Sequence, residues 1–230
     1  MNKYCYEFPR PAITVDAVVF GLNETKLEVL LIKRGLAPYK GKWALPGGFV
    51  RLDEALEDAV KRELAEETGL ENIYLEQLAT FGDPRRDPRG HTLSVAYFAL
   101  VNRREYAAQG AGDAAEARWF DVQALPALAF DHAAIIAAAI ERLRGKLRYK
   151  PIGFELLPEL FPLRSLQQLY ETVLGRSLDK RNFRKKILSM GILRETSETE
   201  TGASRKPARL YAFDRWAYDY MIKKGVNFEI

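Results

Sequence analysis

The chain has 230 residues, and its apolar content of 47% supports a packed core and excludes a disordered chain. A single cysteine, Cys5, excludes an intramolecular disulfide and is consistent with a reducing compartment. The first ten residues lack the apolar core of a signal peptide, and no stretch approaches the roughly 18 apolar residues of a membrane span. We therefore expect a soluble, cytoplasmic protein.

The net charge of +4 is unevenly distributed along the chain. Residues 151–230 contain 14 Lys and Arg against 10 Asp and Glu, whereas residues 1–150 contain 21 of each. The whole excess of positive charge therefore lies in the C-terminal third. This asymmetry indicates an anionic polymer as a partner of that region.

The first half of the chain alternates between predicted strands and loops. Residues 13–20 are rich in β-branched side chains and predict a strand, 21–23 predict the start of a turn, and 27–33 predict the return strand. Residues 41–48 predict a loop whose glycines allow the backbone to approach a ligand or metal closely. The later elements predicted here are strands at 73–81, 92–101 and 117–121, a loop at 82–90 and a helix at 133–144.

The segment that follows the loop at 41–48 combines a helical pattern with a dense group of acids. Four apolar residues recur at helical spacing and form one stripe to bury, namely Leu56, Ala59, Val60 and Leu64. Asp53 predicts the start of the helix and Gly69 its end. Three glutamates at i, i+3 and i+4 share one face, and their repulsion favours a hard divalent cation with oxygen ligands. The alternative is a solvated acidic face.

The flanks of this helix decide between the two interpretations. The segment fits the Nudix box, which reads Gly, five residues, Glu, seven residues, Arg-Glu, an aliphatic residue, any residue, Glu-Glu, any residue, Gly and an aliphatic residue. The matching positions are Gly48, Glu54, Arg62, Glu63, Leu64, Glu66, Glu67, Gly69 and Leu70. Seven of them require one residue type, so a chance match is on the order of 10⁻⁹ per start site. The chain resembles the Nudix hydrolases, which cleave nucleoside diphosphates linked to another moiety.

The resemblance implies an α/β fold, an α/β/α sandwich with a mixed sheet, and a metal-dependent hydrolase. The residues implied in catalysis are Glu63, Glu66, Glu67, Arg62 and Glu116. The three box glutamates, with the Gly48 carbonyl, would bind Mg²⁺ or Mn²⁺, which neutralises phosphate charge and activates a water. One of the glutamates or an acid from another loop would be the general base, and Arg62 would orient a box glutamate. Glu54 is interpreted as structural, while Glu116 is either catalytic or a solvated loop acid.

The substrate is indicated by the loop FGDPRRDPRGH, which carries Arg85, Arg86 and Arg89. Three arginines near a metal site suit a diphosphate or ribose phosphate, although a solvated loop is the alternative. The segment is similar to that of ADP-ribose pyrophosphatases, where a proline in this loop is typical; Pro84 is the first choice and Pro88 the second. Further candidates are Arg34 for phosphate, Gly47 for close backbone approach, and Tyr39, Trp43 and Phe81 for adenine stacking or core packing.

A boundary is predicted at 145–153, which separates a Nudix domain at 1–148 from a second domain at 149–230. The elements predicted beyond it are helices at 166–174 and 179–190, a polar stretch at 195–207 and a strand at 208–213. Two helices joined by a turn and followed by a hairpin with a long polar tip are the layout of a winged helix-turn-helix domain.

The second of these helices is strongly basic. Residues 176–194 contain seven Lys and Arg and one acid, Asp179. The residues assigned to DNA binding are Lys180, Arg181, Asn182, Arg184 and Lys185. The cations would contact phosphates and the asparagine would read base edges. The alternative is a basic surface helix that packs on the Nudix domain.

The combination of domains resembles the Nudix-related transcriptional regulators of NAD metabolism. Members that only regulate often have a degraded box, so the intact box favours a hydrolase that splits ADP-ribose into AMP and ribose 5-phosphate and carries a DNA-binding domain. The alternative is a regulator that senses ADP-ribose or a related metabolite through the Nudix pocket. Double-stranded DNA is an expected partner, and a homodimer is expected because winged-helix regulators usually read paired half-sites.

Overall fold

The computed structural model describes residues 7–23, 25–106, 114–200, 207–226 and 228. Cys5 and residues 201–206 of the predicted polar stretch lie outside them. The described residues form two compact units, the first within 1–19, 29–99 and 108–138 and the second within 20–28, 100–107 and 139–230. The units do not follow one cut in the chain, and the domain boundary at 148/149 stays a prediction. No helix in the described ranges is long and apolar enough to span a membrane.

The N-terminal part contains a sheet in which seven strands are described. The strands are β1 (Ala12–Asn23), β2 (Lys26–Arg34), β3 (Trp43–Ala44), β4 (Gly47–Phe49), β5 (Tyr74–Phe81), β6 (Thr92–Val101) and β7 (Ala114–Asp121). Their order is β3-β2-β1-β6-β5, with β4 paired to β1 and β7 paired to β2. The β1–β4 and β2–β3 pairs are antiparallel. The predicted fold class of a mixed sheet with helices is confirmed.

The two central strands, β1 and β6, carry continuous apolar runs because residues on both of their faces are buried. The strand predicted at 92–101 matches β6. The turn predicted at 21–23 is wrong, since these residues are the end of β1. The loop predicted at 41–48 contains the short strands β3 and β4, which place its glycines beside β1.

Helix α1 (Leu56–Thr68) packs against β4 and β7 and buries the predicted apolar stripe except for Leu56, which is half-buried. It ends at Gly69, whose φ of 72° suits glycine, as predicted. The predicted start at Asp53 is wrong. A turn, closed by the Glu54 N–H on the Arg51 carbonyl at 3.3 Å, precedes the helix, and Ala55 is its N-cap. Helix α2 (His132–Leu147) is longer than the predicted 133–144.

The second unit contains the predicted winged helix. Its elements are a 3-10 helix (Ile152–Leu156), β8 (Phe161–Pro162), α3 (Leu163–Leu174), α4 (Lys180–Ser189), β9 (Leu193–Thr199), β10 (Arg209–Phe213) and α5 (Arg215–Lys223). Helix α3 packs against α4, β8 and the 3-10 helix, with the Tyr170 ring 5.7 Å from that of Phe183 in the core. The three strands form an antiparallel sheet in the order β8-β10-β9.

Two features of this unit differ from the sequence prediction. The polar residues from Glu195 to Thr199 belong to β9, because backbone pairing with β10 holds them although most of their side chains are exposed. Helix α5 was not predicted, although Asp214 caps its first turn by accepting a hydrogen bond from the Ala217 N–H at 2.8 Å.

Candidate functional site

Arg62 is the centre of the charged cluster on α1. Its Nε and Nη2 donate to the two carboxylate oxygens of Glu54, at 2.6 and 2.9 Å. Its Nη1 donates to Glu63 at 2.6 Å and to Glu66 at 3.3 Å. The predicted pairing of Arg62 with a box glutamate is therefore present, and it involves three of them. Arg62 lowers the pKa of Glu54 to about 2, which agrees with a structural interpretation of Glu54.

Glu67 lies on the inner side of α1 and is tied to the glycine pair of the preceding loop. Its carboxylate accepts a hydrogen bond from the Gly47 N–H at 2.9 Å, and burial raises the pKa of Glu67 to about 8. A Cβ on Gly47, whose φ is 154°, would collide with the Val15 carbonyl, and one on Gly48 would collide with the Glu63 carboxylate. Gly47 is therefore required for the close approach of the loop to β1, whereas a side chain at position 48 would only displace the end of the Glu63 side chain.

The predicted metal ligands provide hard oxygen donors, which suit Mg²⁺ or Mn²⁺. The Glu63 carboxylate lies directly against Gly48, since a Cβ built there would collide with its Oε1, so two of the predicted ligand residues are close together. Glu63 and Glu66 are bound to Arg62, however, and Glu67 is bound to Gly47. Among the described residues, no three His, Cys, Asp or Glu side chains are grouped so as to hold a metal ion. The metal assignment of Glu63, Glu66, Glu67 and Gly48 stays a prediction.

The first unit contains a cleft of about 80 Å³, which is lined in part by Gly47 and Gly48 of the loop before α1. Its lining residues are Thr14, Asp16, Arg34, Leu45, Gly47, Gly48, Phe49, Arg86, Asp87, Arg89, Phe130 and His132. The set contains the predicted binding residues Arg34, Gly47, Arg86 and Arg89. The structure therefore brings the loop glycines and three of the predicted arginines to one place.

Arg86 is the buried cation of the cleft, with only 3% of its side chain exposed. Its Nε and Nη2 donate to the Asp131 carboxylate at 2.9 and 2.7 Å, and Nη2 lies 3.5 Å from Asp16. The Ser94 hydroxyl donates to the same Asp16 oxygen. Because its guanidinium is held by two carboxylates, Arg86 is part of the framework of the cleft.

His132 completes this buried network at the first residue of α2. The Leu45 N–H donates to its Nδ1 at 2.8 Å, which leaves the proton on Nε2, 3.5 Å from Asp16. Burial lowers the pKa of His132, so the ring is neutral. His132 thereby connects the start of α2 to Leu45, which is 87 positions away in the sequence.

Arg34 and Arg89 also line the cleft, and their guanidinium groups lie against aromatic rings. The guanidinium carbon of Arg34 is 4.9 Å from the centre of the Phe130 ring, and that of Arg89 is 4.8 Å from Phe49 and 5.7 Å from Phe130. Asp87 accepts hydrogen bonds from Nε and Nη2 of Arg89, the shorter at 2.7 Å. These contacts hold both guanidinium groups at the cleft.

The structure separates the three predicted arginines of this loop, Arg85, Arg86 and Arg89, and their joint action on a substrate stays a prediction. Arg85 is 92% exposed and pairs with Asp83 at 3.6 Å. Arg86 and Arg89 both line the cleft, Arg86 as a buried part of its framework and Arg89 against the aromatic rings. The loop forms a turn at Asp83, whose side chain and carbonyl accept hydrogen bonds from the Arg85 and Arg86 N–H groups at 2.8 and 3.0 Å.

Three other predicted residues do not line the cleft. Phe81 is half-buried at the end of β5. The Trp43 ring packs edge-on against Phe120 at 4.7 Å. Glu116 lies on β7, where it pairs with Lys33 at 3.7 Å and Arg118 at 2.6 Å. Adenine stacking by Phe81 or Trp43 and a catalytic role of Glu116 stay predictions.

The sequence interpretation missed the residues that connect the cleft. They are Asp16, Ser94, Phe130, Asp131 and His132. One signal was available: Asp16 and Ser94 are polar residues inside strongly apolar strands, and a buried polar residue is more informative than a buried apolar one. The consecutive residues Phe130, Asp131 and His132 at the start of α2 offered no pattern of this kind.

Helix α4 presents a different kind of site in the second unit. Phe183 and Ile187 are buried, whereas the side chains assigned to DNA binding, Lys180, Arg181, Asn182, Arg184 and Lys185, are all exposed. The Asp179 carboxylate caps the helix by accepting a hydrogen bond from the Asn182 N–H at 2.8 Å. The four cations form no ion pair within the described residues, so their charge is available to an external anion.

Comparison with known proteins identifies both parts of the chain. The model of the NUDIX domain matches residues 11–143, and that of the NrtR DNA-binding winged helix domain matches residues 153–213. The chain is 41% identical to the ADPR responsive transcriptional repressor NtrR of Acinetobacter baylyi, over 96% of this chain and 90% of that protein. It is 46% identical to the ADP-ribose pyrophosphatase of Methanocaldococcus jannaschii, over 55% of this chain and 71% of that protein.

A crystal structure of Shewanella oneidensis NrtR complexed with a 27mer DNA has a TM-score of 0.78 and 36% identity to this chain, covering 94% of this chain and 97% of that one. Fold and sequence thus define a protein that joins a Nudix domain to a winged helix domain of the NrtR type. The chain belongs to the Nudix family. The resemblance inferred from the box and the C-terminal layout is confirmed.

Proposed function

We propose that the protein is a transcriptional repressor that binds duplex DNA through α4 and responds to ADP-ribose bound at the Nudix cleft. The sequence favoured a hydrolase, with a regulator as the alternative, and this proposal exchanges the two. The relative that matches nearly the whole chain is named an ADPR responsive repressor, whereas the relative named a pyrophosphatase matches only about half of it.

The observation that carries the proposal is the exposed basic face of α4. Its four cations, Lys180, Arg181, Arg184 and Lys185, are unpaired within the described residues and surround one exposed amide, Asn182. Cations that contact DNA phosphates release counterions, which drives binding, and an amide side chain can read an adenine edge.

The cleft supports a ligand with a compact anionic group. Its volume of about 80 Å³ is well below the roughly 300–1,000 Å³ of sites that enclose a drug-sized molecule. We infer that the cleft receives the diphosphate and that the adenosine and ribose ends extend beyond it. Phe49 and Tyr39 are exposed at this end of the unit and offer apolar surface to them.

The proposal is tested by fluorescence anisotropy with DNA from upstream of the protein's own gene. Affinity for DNA should fall steeply as salt rises, and saturating ADP-ribose should shift it by at least about fivefold. Ribose 5-phosphate, which lacks the diphosphate, is the matched control ligand and should produce no shift. Salt-insensitive binding, or no effect of ADP-ribose, would contradict the repressor assignment.

Hydrolysis of ADP-ribose is a second candidate function, favoured by the intact Nudix box. Bound Mg²⁺ would neutralise phosphate charge and activate water. Arg62 would orient Glu63 and Glu66, and the Gly47 N–H would orient Glu67. The Glu67 carboxylate is thereby held at Gly47, and the Glu63 carboxylate lies against Gly48.

Replacing Glu66 or Glu67 with Gln removes an anionic ligand at constant shape. If the protein is a hydrolase, the rate of AMP release should fall at least ~10²-fold, equivalent to roughly 2.7 kcal/mol of barrier. Glu57→Gln on the exposed side of α1 is the control and should keep the wild-type rate. Wild-type protein that binds ADP-ribose with Mg²⁺ but releases no AMP would exclude the hydrolase and leave the repressor.

A further inference from the structure

Two arginines of the cleft, Arg34 and Arg89, contact the same aromatic ring, that of Phe130. Arg34 and Arg89 lie 4.9 and 5.7 Å from its ring centre, within the range of cation–π attraction. The Tyr39 ring meets it edge-on at 4.9 Å, and the His132 ring lies 5.2 Å away. Phe130 therefore contacts two cations and also the buried histidine of the framework.

The backbone at Phe130 is held in an uncommon conformation. Its φ of 49° lies in the left-handed region, which bulky residues rarely adopt. The neighbours fix it there: the Ala129 N–H donates to the Trp43 carbonyl at 2.8 Å, and Asp131 binds Arg86. A strained residue that the surroundings hold so firmly is typical of a functional site.

The two guanidinium groups keep open hydrogen-bond donors. Arg34 uses Nε to donate to the Pro38 carbonyl at 2.8 Å, and Arg89 uses Nε and Nη2 on Asp87. Both terminal nitrogens of Arg34 and Nη1 of Arg89 have no partner in the described part of the chain. Burial, followed by the nearby charge of Arg89, lowers the pKa of Arg34. A bound anion would relieve this repulsion and fill the open donors.

We infer that Phe130 is a positioning residue that holds Arg34 and Arg89 side by side for the diphosphate of the ligand. This inference rests on the proposed function, since it specifies how the same cleft recognises ADP-ribose. The negative face of the ring offsets part of the repulsion between the cations. Phe130 acts through the arginines and needs no contact with the ligand itself.

The test is titration calorimetry of the full-length protein with ADP-ribose. Phe130→Leu keeps an apolar side chain but removes the ring, and affinity should fall about tenfold. Phe130→Tyr restores the ring and should restore most of the affinity. Phe130→Gly suits the positive φ, so it provides a folded variant without the ring if Leu is not tolerated. The matched control is Tyr220→Leu on α5, which removes an aromatic ring that lies 5.2 Å from the Lys224 ammonium group. This variant should bind ADP-ribose with wild-type affinity.

A double-mutant cycle separates positioning from a general structural role. In an Arg34→Ala, Arg89→Ala background, removal of the Phe130 ring should change ADP-ribose affinity less than twofold, because the groups that it positions are gone. An undiminished loss in that background would overturn the inference, as would wild-type affinity in the Leu and Gly variants. Failure of the wild-type protein to bind ADP-ribose would instead remove the proposed ligand, and this inference with it.

Discussion

The two basic regions of the chain hold their cations in opposite ways. In the first unit, Arg62 is bound by three glutamates, and Arg86 is buried against two aspartates. On α4, the four cations from Lys180 to Lys185 are exposed and have no carboxylate partner within the described residues. The cations of the first unit have fixed partners and those of α4 are solvated, so their energetic roles differ.

The difference indicates the kind of anion that each region suits. A small ligand that must be oriented is best met by cations already fixed by hydrogen bonds and rings, because little side-chain entropy is lost on binding. A polymer with regularly spaced phosphates is best met by mobile, solvated cations that release counterions. Charge counts alone do not distinguish these cases, whereas the partners of each cation do.

The largest effect is expected when a fixed cation of the first unit is removed. Arg86→Met leaves Asp131 and Asp16 without their buried partner and should lower the free energy of unfolding by about 3–5 kcal/mol. Arg85→Met, at the adjacent and almost fully exposed position, is the control and should change it by less than about 0.5 kcal/mol. Urea denaturation measures both. Equal stabilities of the two variants would contradict the distinction between fixed and free arginines.

A second prediction removes the free cations. Replacement of Lys180, Arg181, Arg184 and Lys185 with Ala should weaken DNA binding on the order of 10²-fold near physiological salt. It should also flatten the salt slope by about one unit per lost phosphate contact. Loss of the exposed lysines Lys40, Lys42 and Lys61 is the control and should have little effect on DNA. The folding free energy should change little in either variant, since none of these side chains has an ion-pair partner among the residues that the structure describes.

The smallest effect concerns the cap of α4. Asp179→Ala removes the acceptor for the Asn182 N–H and should cost about 1 kcal/mol of stability. Asp179→Asn retains a capping oxygen and should cost much less. Thermal unfolding of the two variants provides the measurement. Identical midpoints for the Ala variant and the wild type would mean that the cap does not stabilise the helix.

Local patterns allowed much of the fold to be predicted. The Nudix box lies within 23 consecutive positions, so α1 and its glutamates were found, and strand β6 matched its apolar run. The framework of the cleft was missed because its partners are distant in sequence. Arg86 and Asp131 are 45 positions apart, and Ser94 and Asp16 are 78 apart. No spacing rule connects such residues before the chain is folded.

The three arginines of one loop show the same limit at shorter range. Arg85, Arg86 and Arg89 share composition and neighbourhood, but one is solvated, one is buried in an ion pair and one stacks on aromatic rings. Their separation depends on the turn at Asp83 and on Asp131, which comes from another segment. The exposed face of α4 was predicted more fully, because a surface helix requires only its own periodicity.

We propose that the Nudix cleft and α4 are coupled through one chain, and reciprocal binding is the sharpest test of this coupling. Titration calorimetry should measure the affinity for ADP-ribose of the full-length protein alone and saturated with its upstream DNA. Linkage requires DNA to change the affinity for ADP-ribose by the same factor by which ADP-ribose changes the affinity for DNA, typically about 5–150-fold. We expect the two factors to be equal and to exceed about fivefold. An affinity for ADP-ribose that DNA leaves unchanged would contradict the coupling.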